Sequence, residues 1–277
     1  MSRRMIVFAV LQLIAVWPVI HWYVLRLLDS SDSPVPVIAL ITVFVCLIRD
    51  RKLETNRGHR VWLSALMMMV YAATFPLLPP LLRAVTAFAA VGTFWCVREN
   101  SPRGRTGLLG LIFLALPLQA SMHFYLGYPL RVVSGYVSVL MLRSNGVPVT
   151  LDGTLFQWGE TLIQIDAPCS GANMLWMSLY MALALSAVYR LGWKMTLFLS
   201  GIYVVETILA NACRMTALFY METNSFQGPE WLHSMVGIMV FLLSALVLAW
   251  IFQILVRPFS GQPLNMLSKR DGHIPAI

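Results

Sequence analysis

Charge is what this chain has least of. Only 12% of its 277 residues are charged, about half the share expected of a soluble domain of this length. With 58% hydrophobic residues beside it, that scarcity argues against a soluble enzyme and leaves no room for a large soluble domain. Cysteine is sparse too. Four residues are too few for a disulfide framework, and Cys46 and Cys96 read as small apolar fillers near helix ends. The five histidines, His21 and His123 among them, show no metal-ligand spacing, so neither a metal nor a cofactor is expected. No internal repeat is evident, which removes the support an inverted-repeat transporter would need.

What the chain does have is a succession of apolar runs near the length of a bilayer crossing. They predict an all-α polytopic membrane protein, a single transmembrane domain over residues 1–277. About eight spans are expected: Met5–Leu28, Val35–Ile48, Val61–Leu78, Arg83–Val97, Gly107–Leu126, Ser170–Tyr189, Met195–Tyr220 and His233–Val256. The first run is longer than the apolar part of a signal peptide and lacks a small-x-small cleavage site, so a retained span is expected. Most of the basic residues fall on alternate loops: Arg3 and Arg4, Arg49 to Arg60, Arg98 to Arg105, Arg190 and Lys194, and Arg257 to Arg270. By the positive-inside rule these loops and both termini are cytoplasmic, in the cell's inner membrane. The net charge of +8 is thereby an anchor toward membrane lipids, with no nucleic-acid footprint.

Residues 127–168 break the pattern and fall on the outer side, since they follow the fifth span. Pro129–Arg143 is amphipathic and reads as a helix lying at the outer surface or dipping into it. Val147 to Phe156 alternates around Asp152-Gly153, a β-hairpin signal. A second alternation, Thr161 to Ile165, leads to Asp166-Ala167-Pro168-Cys169-Ser170-Gly171. A small outer cap that delivers the chain to Cys169 is the simplest arrangement.

Depth singles out three residues. Cys169 opens the sixth span at the outer face, and His233 opens the eighth there. Arg214 lies about 20 residues beyond Lys194, roughly 30 Å along a helix that starts at the cytoplasm. Their chemistries fit one another. A thiol with an ordinary pKa of about 8.5 is activated by a nearby cation and by a helix N-terminus. Arg214 is a permanent cation that also suits an oxyanion, and His233 holds or donates a proton near neutral pH. Together they suit acyl transfer through a thioester. Ser170 and Gly171 follow the thiol, and Gly171 leaves room for a substrate backbone. Asn211 shares a helix face with Arg214, and Gly237 clears space one turn after His233.

Each residue alone has a plainer use. Cys169 packs at a helix end or pairs with Cys213. Arg214 snorkels to headgroups, and His233 is one more interfacial polar group. Glu206, within the seventh span, reads as a structural hydrogen-bonding partner. None of these uses requires Cys169, Arg214 and His233 to share a level.

Cys169-Ser170-Gly171, Asn211-Ala212-Cys213-Arg214 and His233-Ser234-Met235-Val236-Gly237, in that order on successive helices, resemble the exosortase/archaeosortase family, best over roughly residues 125–245. The resemblance implies a membrane cysteine protease/transpeptidase with Cys169 as nucleophile, Arg214 as essential cation and His233 as acid/base. It implies protein substrates that end in a short motif, a transmembrane helix and a basic tail, cleaved near the motif and passed to an acceptor. Many bacterial members carry a basic residue four positions after the cysteine, where this chain has Asn173. Two other classes compete: a polytopic transporter, with Glu206 as its main candidate near the midplane, and a non-catalytic scaffold of an envelope export or polysaccharide system.

Overall fold

Proline decides where the long apolar runs break. In the computed structural model, which describes residues 3–28, 35–50, 58–96, 105–165, 170–223 and 230–256, the first run is two helices. These are α1 (Arg3–Ala15) and α2 (Trp17–Leu28), bent by 58°. Pro18 has no amide for the carbonyl of Ile14, and its ring crowds that turn. The expected fifth span breaks in the same way. The chain bends by 95° around Pro117, between α6 (Arg105–Leu114) and α7 (Gln119–Ser144). The expected surface helix Pro129–Arg143 is thus the second half of a 26-residue helix.

Between these pairs stand α3 (Pro36–Asp50), α4 (Gly58–Thr74) and α5 (Pro80–Cys96). The second half of the chain adds α8 (Ala172–Val188), α9 (Trp193–Thr223) and α10 (Glu230–Val256). Among the described residues two helices suffice by length and composition to cross a membrane, Trp193–Thr223 and Met235–Val256, and up to four spans result if each bent pair is one. The expected eight are not reached. The other apolar helices have at most 17 residues, about 26 Å, which falls short of a core of roughly 30 Å.

The expected cap is a three-stranded antiparallel meander of β1 (Thr150–Asp152), β2 (Leu155–Trp158) and β3 (Thr161–Gln164). The expected hairpin is present, and the second alternation joins it as a third strand. Asp152 faces Leu155 and Trp158 faces Thr161. Both turns are therefore two residues long, opening on Gly153 (φ +59°) and Gly159 (φ +58°), where glycine escapes the left-handed penalty. Phe156, Val149 and Ile165 pack with Val139 and Leu142 of α7 and with Met215 and Phe219 of α9. The sheet thus sits on two helices.

The remaining core is close helix packing tied by hydrogen bonds between helices. A Cβ on Gly107 would stand 2.6 Å from the Ala187 amide nitrogen, and one on Gly110 would stand 2.6 Å from Leu183. Small residues let α6 meet the backbone of α8 at Gly107 and the Leu183 side chain at Gly110. Trp176, fully buried, stacks on Tyr180, whose hydroxyl is 2.8 Å from Thr42 of α3. Thr207 of α9 donates to Ser178 of α8. Between α9 and α10, Tyr203 of α9 donates to the Leu248 carbonyl, and Ser244 of α10 donates to Glu206 at 2.9 Å. Glu206 therefore joins α9 to α10, the structural use expected of it. Cys46 is buried in the α3–α6–α8 cluster, and Cys213 is an exposed free thiol.

Candidate active site

Two antiparallel pairings bring the three motifs together. Along α9 and α8, Thr207 meets Ser178 and Asn211 meets Gly171. Along α9 and α10, Tyr203 meets Leu248, Glu206 meets Ser244 and Arg214 meets Gly237. Each step up α9 is a step back along its neighbour, so the start of α8, the Asn211–Arg214 turn of α9 and the first turns of α10 share one end of the bundle.

Glycine makes both approaches possible. Gly171 caps α8 with φ +77°, in the left-handed region that other residues enter only at a cost. A Cβ there would stand 2.9 Å from both Cγ and Nδ2 of Asn211. Asn211 is buried, as are Ser170 and Ala172. The Ala172 amide donates to the Ser170 hydroxyl at 3.4 Å. A Cβ on Gly237 would lie 3.1, 3.2 and 3.3 Å from Nη2, Cζ and Nε of Arg214. Three atoms of a planar fork are that nearly equidistant only from a point above the plane. The guanidinium therefore lies broadside on the α10 backbone, and the space Gly237 clears is filled by Arg214.

Of the expected site residues, Ser170, Gly171, Asn211, Arg214 and Gly237 are brought together. Cys169 lies outside the described residues; it is bonded to Ser170 and precedes the α8 cap by two positions. Position 233 is helical and one turn before Gly237 on α10, while the His233 side chain lies outside what is described. The chain belongs to the transmembrane exosortase family. The match to the family model, transmembrane exosortase (Exosortase_EpsH), covers residues 6–250. The match takes in the first helices as well as the three motifs. No curated protein and no solved structure matches the chain.

One wall of the site was not anticipated. α7 contributes His123, whose Nε2 is 3.0 Å from Asn173 Oδ1, and Gly127, whose Cβ position is 3.9 Å from Ser170 Cβ. Arg131 donates from Nη1 to the Ile165 carbonyl at 3.2 Å. No signal in the sequence pairs these positions of α7 with residues 34 to 50 further along the chain.

Gly171→Ala tests the α8–α9 approach. It meets both the positive φ and the Asn211 amide, and a destabilisation of about 2–3 kcal/mol is expected from strain and displacement together. Thermal melting of the purified protein measures it. Adding Asn211→Ala should relieve the clash and leave the strain, recovering only part of the loss.

Proposed function

We propose that this exosortase-family protein is a cysteine protease/transpeptidase that processes C-terminal sorting signals at the outer face of the inner membrane. The observation that carries the reading is the broadside contact of Arg214 with Gly237, which supports a fixed cation at the end of the bundle where the Cys169 motif begins. In this reading the Cys169 thiolate attacks the scissile carbonyl and Arg214 stabilises the oxyanion. The C–N bond then breaks as His233 gives its proton to the leaving amine. A thioester joins the substrate's new C-terminus to Cys169, and an amine or water resolves it, with loss of a proton and return of the thiol.

The substrate helix would lie beside the bundle with its basic tail cytoplasmic. Apolar α10 supports such access: only 17% of its membrane-length window is buried, and Ile238, Leu242 and Leu246 are exposed along it.

A covalent intermediate is the direct test. When the protein is co-expressed with a substrate carrying a motif, an apolar helix and an Arg-rich tail, a fraction should migrate as an enzyme–substrate adduct. Neutral hydroxylamine should release it, as it cleaves thioesters. An adduct resistant to hydroxylamine, or a processed substrate whose tail is lost equally without this protein, would contradict the mechanism.

A further inference from the structure

We infer that α7 positions the segment that carries Cys169, and that Arg131 is the positioning residue. This rests on the reading of Cys169 as nucleophile.

His123, Gly127 and Arg131 recur every four residues, so they occupy one face of α7. Each meets the chain near Cys169 at a different place. His123 reaches Asn173, four residues after it, and Gly127 lies beside Ser170, the next residue, so that a Cβ on Gly127 would stand 3.9 Å from Ser170 Cβ. Arg131 holds the carbonyl of Ile165, four residues before it. Ile165 and Ser170 are the described residues on either side of 166–169. Ile165 and Ser170, the residues that flank that run, therefore lie beside adjacent turns of a single helix, about 6 Å apart along its axis.

Arg131 does this with its fork. Nε donates to the Gly127 carbonyl at 3.3 Å and Nη1 to the Ile165 carbonyl at 3.2 Å. No carboxylate among the described residues pairs with it. Lysine carries its three N–H donors on one nitrogen and does not reproduce a planar fork whose Nε and Nη1 each reach a different carbonyl. A reacting group displaced by about 1 Å loses on the order of a hundredfold in rate.

Arg143 supplies a matched control on the same helix. Its Nε donates to the Val149 carbonyl at 2.9 Å, where the chain enters the cap rather than where it leaves. If α7 merely staples the cap, the two arginines are equivalent.

The experiment compares Arg131→Gln, Arg131→Lys and Arg143→Gln in the full chain, measuring kcat and KM for a purified substrate alongside melting temperature. Arg131→Gln is expected to lower kcat by about a hundredfold with KM changed less than about threefold. Arg131→Lys should recover under about a tenth of wild-type kcat, since charge without the fork does not restore the geometry. Arg143→Gln should keep kcat within about threefold at a similar loss of melting temperature, its bond being of the same kind. Wild-type kcat in Arg131→Gln would overturn the inference, as would equal kcat losses in Arg131→Gln and Arg143→Gln. Should the glutamine variant fail to accumulate, Arg131→Lys decides, and wild-type kcat in it overturns the inference. An active Cys169→Ala would refute the nucleophile reading itself. An inactive Cys169→Ala beside a normal Arg131→Gln would refute only the role of α7.

Discussion

Cys169→Ala is expected to reduce processing to background, about six orders of magnitude in kcat if the scale for losing a catalytic nucleophile applies. The protein should still accumulate in the membrane, because the packing that holds α8 uses Ser170, Gly171 and Trp176. Cys169→Ser should fare little better. A hydroxyl ionises far less readily than a thiol, and the neighbours that would activate a thiolate do not make an alkoxide. Cys213→Ser is the control: that thiol is exposed, and processing should stay within about twofold, as for a surface substitution. Processing above about 1% of wild type in Cys169→Ala would remove the acyl-enzyme route through Cys169.

Arg214→Lys is expected to cost processing about 100- to 1,000-fold, the range for losing one preorganised oxyanion donor. This substitution separates two roles for the same charge. An arginine that only snorkels to headgroups is well replaced by lysine, which carries the same charge on a flexible stem. A guanidinium laid flat on Gly237 is not, because an ammonium has neither the plane nor the fork. Gly237→Val gives an independent reading of the same contact. It leaves every charge in place and pushes bulk into the 3.1–3.3 Å approach, so it should lower kcat while Arg214 is intact. Full activity in both Arg214→Lys and Gly237→Val would show that the guanidinium takes no part in the reaction.

Much of this site can be read without coordinates because its parts are short and local. The Asn211–Arg214 turn and the Gly237 position are helix-face arguments, and a helix face follows from spacing alone. The hairpin follows from alternation around Asp152-Gly153, while the pairing of the second alternation as a third strand was visible only in the fold. The bends resisted the same reading. Pro18 and Pro117 sit inside apolar runs, where proline also occurs in continuous kinked spans. Hydrophobicity does not say whether such a run kinks or turns by 95°. The α7 wall was hidden for another reason. Its contacts, 123 with 173, 127 with 170 and 131 with 165, join residues 34 to 50 apart through a turn and a sheet. No periodicity along one helix reports them.

The sequence by itself determined an apolar helical membrane protein, the order of the three motifs and the residue types able to activate a thiol, because these depend on composition and on spacing within single elements. Only the tertiary structure decided that Arg214 rests on Gly237, that Asn211 rests on Gly171 and that Arg131 grips Ile165. Those contacts depend on how far two backbones can approach, and that distance is settled by packing between helices, where a missing Cβ is felt only by the neighbour that fills its place.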